Sequence, residues 1–324
     1  MAASSALRPT MLALGLTLGV PTMLYFSILG TLVVAPSLQA HAIYLHKVTL
    51  TWFKDLNTPE QFGGTMASGW RPDSYRSLYS ADPINIHVLT FDYRGYGEST
   101  GSPSEEGIIK DAITVANWAI HTAGIPPERI VIFGQSLGSA VAIALVNELA
   151  HKQPSVHFAG LVVTATFADI PQLTATYRIG GFIPVLSPIA KVKPLFAFFA
   201  RQLSSTLDNM QKLGEYVKAA ERYDITLLHA EDGTDIPMEH SIKLYREAVR
   251  VAEDVNDLTE NEGALLSRIS KVEQGMGEGG SITVWSTGKG NIRLKILKYG
   301  VHDKIMSYPA TGLAISRAFA SVKN

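Results

Sequence analysis

The feature that most constrains the fold is a strand, a sharp turn and a helix that follow one another between residues 129 and 151. Residues 129–133 read R-I-V-I-F, an apolar run typical of a central strand that is buried on both faces. The turn Gly134-Gln135-Ser136-Leu137-Gly138 comes next, and an apolar helix is predicted at 139–151. Further strand-like and helix-like segments alternate past roughly residue 80. The alternation predicts an α/β fold with a mostly parallel sheet and flanking helices.

The same reasoning predicts the other elements of this domain. Strands are expected at 86–91, 160–166 and 224–228, and a late β pair at 282–285 and 292–297 with Gly288 and Gly290 in its turn. Helices are expected at 239–252 and 310–322. A further helix is expected to begin at Ser102, because Ser102, Pro103 and Glu105 fit the N-cap, the first helical position and the capping box.

Composition excludes several classes of protein. Hydrophobic residues make up 46% of the chain and charged residues 18%, so the chain is not intrinsically disordered. It has 28 basic and 29 acidic residues, without the basic surplus that neutralises nucleic-acid phosphates. With no cysteine, disulfides, thiolate metal sites and cysteine nucleophiles are excluded. Because it also lacks H-E-x-x-H and phosphate-loop patterns, we expect no metal, cofactor or nucleic-acid partner.

An uncharged apolar run lies near the N-terminus. Between Arg8 and Lys47 there is no Asp, Glu, Lys or Arg, and the apolar residues 11–36 exceed the ~20 residues that cross a bilayer. We predict a single-pass transmembrane anchor at 1–40, with the α/β domain at 41–324. A signal peptide cleaved near Ala40-His41-Ala42 and a buried core helix are the alternatives.

Residues 171–215 stand outside the alternation of strands and helices. The segment is apolar and rich in proline and phenylalanine. This composition is typical of a cap over an active site or of a membrane-facing lid, and an ordinary packed insertion is the alternative.

Ser136 is the candidate nucleophile. It is the centre of a G-x-S-x-G motif between a buried strand and a helix, which is the strained turn that exposes a reactive hydroxyl. The backbone N–H of Leu137 would then face a developing oxyanion. Ser99 lies in a second G-x-S-x-G match, but that match falls in a polar loop and is the weaker candidate.

A serine hydroxyl needs an adjacent base, usually a histidine that a carboxylate orients. On this type of sheet the chain order is Ser, acid, His. His302 follows the last predicted strand and is the candidate base, whereas His240 lies inside a predicted helix. Asp232, just beyond the strand near 226–229, is the candidate acid, and Asp235 is its reserve.

Together these motifs resemble the α/β-hydrolase superfamily, in particular its membrane-anchored serine lipases of the α/β-hydrolase-domain-containing protein twelve type and their fungal relatives. The resemblance runs from about Thr65 to the C-terminus. Its motifs are F-D-Y-R-G-Y-G-E-S-T-G-S-P-S-E-E-G at 91–107, G-Q-S-L-G, L-L-H-A-E-D and Y-G-V-H-D-K. It implies an acyl-ester hydrolase that acts on monoacylglycerols or lysophospholipids at the endoplasmic reticulum membrane.

Two departures from the family pattern bear on activity. The family acid lies four residues before a proline, but here Gly233 stands four residues before Pro237, and Asp232 is one residue out of register. The family's H-G-N-A-G-T motif, which supplies an oxyanion donor, is absent. Gly64 and Thr65 resemble the tail of that motif and are the candidate second donors.

The missing motif implies that the first strands of the family sheet are absent, with residues 41–53 as a candidate substitute strand. A second interpretation therefore stands beside the first. The chain would be a truncated, catalytically impaired relative that is anchored to the membrane and is not an enzyme.

Overall fold

The computed structural model describes residues 3–44, 71–80, 82–179, 183–184, 187–254, 263, 267–269 and 272–322. Its main helices are α1 (Ala3–Val34), α2 (Pro36–Tyr44), α3 (Arg71–Tyr79), α4 (Glu105–Asn117), α5 (Leu137–Ala150), α6 (Ile170–Thr176), α7 (Ser187–Ala190), α8 (Lys193–Ala200), α9 (Asn209–Ala219), α10 (Glu239–Ala252), α11 (Val301–Lys304) and α12 (Pro309–Ser321). Its strands are β1 (Val131–Gln135), β2 (Gly160–Thr164), β3 (Arg178–Ile179), β4 (Ile183–Pro184), β5 (Tyr223–Ala230), β6 (Glu273–Gly275), β7 (Ser281–Thr287) and β8 (Gly290–Leu297).

Six strands form one mixed sheet in the order β1-β2-β5-β8-β7-β6. The pairs β1–β2, β2–β5 and β5–β8 are parallel, and the pairs β8–β7 and β7–β6 are antiparallel. The hairpin β7–β8 confirms the predicted late pair. Its turn ends at Gly290, whose φ of 145° lies outside the range that residues with a side chain readily adopt. The parallel strands end at one edge, where the loops that follow them meet.

The core lies on both faces of the sheet because side chains alternate along each buried strand. On β2, Leu161 and Val163 face one layer, which α5, α9 and α10 complete. Val162, between them, faces the other layer, in which α3 and α12 pack. The sheet is therefore covered by helices on both sides, as the alternation predicted.

The strand β1 is at the edge of the sheet, although a buried central strand was predicted there. Its residues are mostly half-buried, and no strand on its outer side is present among the residues that the structure describes. The predicted strand at 86–91 is wrong as well, because that segment runs without β pairing and leaves Val88 and Leu89 exposed. Apolar residues of high strand propensity need a neighbouring strand to form a ladder, and the described residues supply none at this position.

The helix α4 begins two residues later than predicted. Its N-cap is Ser104, whose Oγ accepts a hydrogen bond from the N–H of Gly107 at 3.2 Å. Ser102 and Pro103 precede the helix, where the glycine-rich loop packs against them: a Cβ on Gly95 would lie 2.9 Å from Pro103 Cδ. Glu105 does not complete a capping box. It accepts hydrogen bonds from the backbone N–H groups of Thr206 and Leu207 instead.

At the N-terminus the structure has two helices that join at Ala35. Where side chains are described, no single helix is long and apolar enough to cross a bilayer, whereas Gly19–Val34 and Ser37–Tyr44 satisfy the length and composition criteria as a pair bent by 110°. Residues 41–44 are helical and not part of a strand, and 45–53 lie outside the described residues.

The segment between β2 and α9 stands outside the six-stranded sheet. It contains α6, the two-residue strands β3 and β4, α7 and α8. The helix α9, which falls partly inside the predicted cap, packs against α5 and α10 in the core. The extra segment therefore ends before Asn209.

Candidate active site

Ser136 occupies the sharp turn between β1 and α5. Its φ of 51° and ψ of −120° place a non-glycine residue in a strained conformation, which is the geometry of a nucleophile elbow. Two hydrogen bonds hold the turn: the N–H of Ser136 donates to Thr164 O at 3.0 Å, and Ser139 Oγ donates to Ser136 O at 2.5 Å. The strain is thus stabilised by contacts to β2 and to the first turn of α5.

Gly134 is required for this turn by close packing. A Cβ at this position would lie 2.2 Å from the carbonyl oxygen of Gly138, a distance that no side chain tolerates. The strand can therefore approach the start of α5 only with glycine here. Packing alone therefore explains the first glycine of the motif, without reference to the reaction.

Ser136 opens into one large cavity of about 2060 Å³. The cavity runs along the outer edge of β1 toward residues 86–91, and its other walls come from α1, α2, α4, α6 and α8. Its lining is mostly apolar, with Leu32, Leu173, Phe196 and Phe199 among the side chains. Such a mostly apolar cavity suits a long acyl chain.

His302 lies at the start of α11 and lines the same cavity as Ser136. A hydrogen bond of 2.5 Å from Gln135 Nε2 to His302 O joins the end of β1 to this histidine. Burial lowers the pKa of the imidazole, while the carboxylates of Asp303 and Asp235 act in the opposite direction. A histidine that is neutral near pH 7 is in the form that a general base needs.

The two candidate acids differ in where they point. Asp232 Oδ1 accepts a hydrogen bond of 2.8 Å from the N–H of Val301, so this side chain holds the loop just before His302. Asp235 lines the cavity together with Ser136 and His302, and its charge acts on the imidazole. Asp232 is not part of that lining. The Nδ1 of His302 is buried and has no hydrogen-bond partner in the described part of the chain.

Two other histidines form hydrogen bonds that hold neighbouring parts of the fold together. His229 Nε2 donates to Ile236 O at 2.9 Å, and its Nδ1 accepts from Ser241 Oγ at 2.7 Å, so this ring supports the loop that carries both aspartates. His240 Nδ1 accepts from the N–H of Ala168 at 3.2 Å. Burial lowers the pKa of each ring to about 4. Neither residue lines the cavity, whereas His302 does, and the hydrogen bond from Gln135 joins it to the residue before Ser136.

The remaining sequence candidates are placed as follows. Leu137, the candidate oxyanion donor, is the first residue of α5 and lines the cavity. Gly64 and Thr65 lie outside the described residues. Ser99 lies in a loop and donates through Oγ to Asp92 O at 3.0 Å, with no helix starting at the next residue. Over the described residues no group of three or more histidine or carboxylate side chains is arranged to hold a metal ion.

Sequence reasoning missed the role of Gln135. This residue was read only as the variable position of G-x-S-x-G, yet its side chain holds the carbonyl of His302. No pattern in the sequence links two residues that are 167 positions apart, so only the fold reveals the contact.

Comparison with known proteins decides the family. Residues 62–257 match a family described as the alpha/beta hydrolase family. The chain belongs to the α/β hydrolase family. The match includes the Ser136 elbow and the loop with Asp232 and Asp235, while His302 lies beyond it.

Curated relatives within this hydrolase family are similar over part of their length. The chain is 32% identical over 182 residues to the lysophosphatidylserine lipase ABHD12 of Danio rerio, which covers 56% of this chain and 44% of that protein. It is 34% identical over 163 residues to Protein ABHD12B of Homo sapiens, covering 49% of this chain and 41% of that protein. The aligned part of this chain thus spans less than half the length of either relative.

A solved structure is similar to this chain at low sequence identity. The α-β hydrolase from Vibrio vulnificus is 18% identical, with a TM-score of 0.47, and the alignment covers 80% of this chain and 70% of that chain.

Proposed function

We propose that this chain is a serine ester hydrolase that cleaves acyl esters of lipids, of the monoacylglycerol or lysophospholipid type. The observation that carries the proposal is the strained Ser136 turn, which opens with His302 into one apolar cavity. Membership of the α/β hydrolase family and relatives named as lysophosphatidylserine lipases support ester hydrolysis of this kind.

The proposed reaction proceeds through an acyl-enzyme. His302 takes the proton of Ser136 Oγ as this oxygen attacks the acyl carbonyl, and the N–H of Leu137 stabilises the oxyanion. The intermediate collapses when His302 returns the proton to the departing alcohol. Water, deprotonated by His302, then attacks the acyl-enzyme and releases the fatty acid.

We propose that the carboxylate that orients His302 comes from the loop at 231–236. Asp232, the sequence candidate, is supported by its hydrogen bond to Val301, which fixes the backbone that carries His302. Asp235, the reserve, is supported by its place in the cavity and its charge effect on the imidazole. The two therefore have different proposed effects, which pH profiles of variants can separate.

We further propose that the chain is attached to a membrane, at the endoplasmic reticulum, through its N-terminal helices. The apolar sequence and the exposure of Met23 and Leu24 on α1 support this attachment. The apolar cavity, with walls from α1 and α2, supports a lipid substrate that reaches Ser136 from that side. The residues between β2 and α9 are proposed as the cap over the site.

One observation favours the second function, a catalytically impaired relative. The buried Nδ1 of His302 makes no hydrogen bond within the described residues, although a triad acid would accept one. Losing a single oxyanion donor already lowers such rates by about 10²–10³. The protein would then bind lipid without efficient turnover.

Labelling with a fluorophosphonate probe tests the enzyme against this alternative. We expect the wild-type protein to be labelled, Ser136→Ala to be unlabelled, and Ser99→Ala to be labelled like the wild type. Ser99→Ala is a matched control because Ser99 occupies the other G-x-S-x-G sequence. Labelling that survives in Ser136→Ala would reject this nucleophile. Folded wild-type protein that resists the probe would favour the impaired relative.

Carbonate extraction tests membrane attachment separately. The full chain, expressed in cells, is expected to stay in the membrane pellet at alkaline pH, because an apolar helical pair is not released by removing charge contacts. Recovery in the supernatant would reject the attachment and leave the proposed chemistry untouched.

A further inference from the structure

The segment between β2 and α9 has an unusual distribution of charge. Asp169 and Asp208 lie at its two ends, and residues 170–207 between them contain no Asp or Glu; their charged side chains are all basic: Arg178, Lys191, Lys193 and Arg201. Three of these basic residues flank α8 closely and are exposed. The whole chain has a net charge of −1, so this short segment is clearly more positive than the chain as a whole.

Exposed apolar side chains lie among these basic residues. Val192 and Phe198 are each 53% exposed. Phe198 is held by an edge-to-face contact with Phe199, with ring centroids 5.6 Å apart. Apolar side chains ringed by lysine and arginine are typical of a helix that lies in the interface of a bilayer with anionic lipids.

The other side of α8 packs against the N-terminal helix. Leu29 of α1 and Ile189 of α7 are buried together, and Phe196 and Phe199 of α8 pack against that pair. Leu24 and Phe26, within five residues of Leu29 on α1, are exposed apolar residues as well. A membrane that holds α1 therefore lies beside α8.

Polar contacts fix this arrangement. Gln39 of α2 donates through Nε2 to Leu32 O and to Gln202 O, both at 2.8 Å, and its Oε1 accepts from the N–H of Ser204 at 2.9 Å. Tyr44 OH shares a buried hydrogen bond of 2.7 Å with Ser205 Oγ. Several buried contacts therefore join the N-terminal helices to the residues just after α8.

We propose that α8 and its flanking lysines form a bilayer-docking surface, named here the α8 surface (Lys191, Val192, Lys193, Phe198, Arg201), which binds an anionic phospholipid membrane. The inference rests on the membrane attachment in the proposed function and deepens it. Phe199 and Phe196, behind the surface, line the cavity that contains Ser136, so a lipid leaving the bilayer between α8 and α1 enters that cavity directly. The lysines and Arg201 contact lipid phosphates while Val192 and Phe198 enter the apolar layer.

Site-specific labelling tests the α8 surface without reference to activity. Because the chain has no cysteine, Phe198→Cys and Val192→Cys each provide one thiol for an environment-sensitive fluorophore. Lys152→Cys is the control, since this exposed residue follows the C-terminal end of α5, about 20 Å along the helix axis from Ser136. The full-length proteins are reconstituted into vesicles of phosphatidylcholine with or without phosphatidylserine.

We expect spin-labelled lipids to quench the fluorophores at 198 and 192 and to leave the one at 152 unchanged. Quenching should weaken without phosphatidylserine and in the double variant Lys191→Gln/Lys193→Gln. If the chain floats with the vesicles but the labels at 198 and 192 are as water-exposed as the label at 152, the α8 surface is rejected and the membrane attachment stands. If the chain does not float with vesicles, both the α8 surface and the membrane attachment are rejected.

Kinetics supply a second readout. Phe198→Ser is expected to lower hydrolysis of a monoacylglycerol presented in vesicles about tenfold, and to leave hydrolysis of a water-soluble short-chain ester unchanged. An equal loss on both substrates would overturn the docking role and point to damage inside the cavity.

Discussion

At the scale of single residues, two aspartates of one loop stand in different relations to the same histidine. Asp232 binds the backbone beside His302, and Asp235 faces the cavity where its charge raises the pKa of the imidazole against the effect of burial. Only the second kind of contact changes the protonation of the base. The pH dependence of catalysis is therefore the measurement that distinguishes them.

We predict that Asp235→Asn shifts the acid limb of kcat/KM to lower pH. The base must be neutral, and the limb reports the pKa of His302 in the free enzyme. Removing a carboxylate removes stabilisation of the imidazolium, so the pKa falls and activity persists to lower pH. Asp232→Asn is the matched control and is expected to leave the limb in place while it lowers the plateau rate. A shift in Asp232→Asn, with none in Asp235→Asn, would reverse the assignment.

At the scale of elements, a buried ion pair joins neighbouring strands. Arg293 of β8 donates through Nη1 to both carboxylate oxygens of Asp224 on β5, at 2.7 Å, and both side chains are largely buried. Asp224 lies near the start of the eight-residue strand β5, about 20 Å from the end that leads into the aspartate loop. The pair therefore stabilises the sheet at a distance from the site.

We predict that Asp224→Ala lowers the free energy of unfolding by about 3–5 kcal/mol, because it leaves the Arg293 charge buried without a partner. The double variant Asp224→Leu/Arg293→Met should be less destabilised than this single variant, since it removes both charges. Denaturant unfolding measures the two. Additive losses in the double variant would show that the ion pair has no such coupling.

The sequence predicted elements whose signals are local and missed those that depend on a partner. The hairpin β7–β8 and the helix α10 were located closely, because turn glycines and helical spacing lie within a few residues. Residues 86–91 have the composition of a strand but no ladder among the described residues. For the candidate site, motif and chain order predict Ser136 and His302, whereas the contacts of Asp232 and Gln135 required the folded chain.

At the scale of the whole molecule, the N-terminal helices belong to the same structure as the cavity. Leu29, Leu32 and Gln39 line it, and Gln39 is buried against the residues that follow α8. We predict that Gln39→Ala increases the rate of tryptic cleavage after Arg201 about tenfold or more, because the two hydrogen bonds between Gln39 and that segment, of roughly 1 kcal/mol each, are lost.

Gln202→Ala is the matched control for that measurement. Only the backbone carbonyl of Gln202 takes part in the contact, so removing its exposed side chain should leave the cleavage rate unchanged. Equal cleavage in Gln39→Ala and the wild type would mean that the N-terminal helices do not hold this segment closed.

In the proposed membrane attachment, the junction at Gln39 would make the width of the cavity mouth depend on the lipids around the protein. A bilayer that is thinner or thicker than the apolar length of the N-terminal pair changes the tilt of these helices. Since one amide side chain connects α1, α2 and the chain after α8, that tilt moves the wall through which substrate passes. Sterol content and acyl-chain length of the host membrane would then regulate turnover without any dedicated effector site.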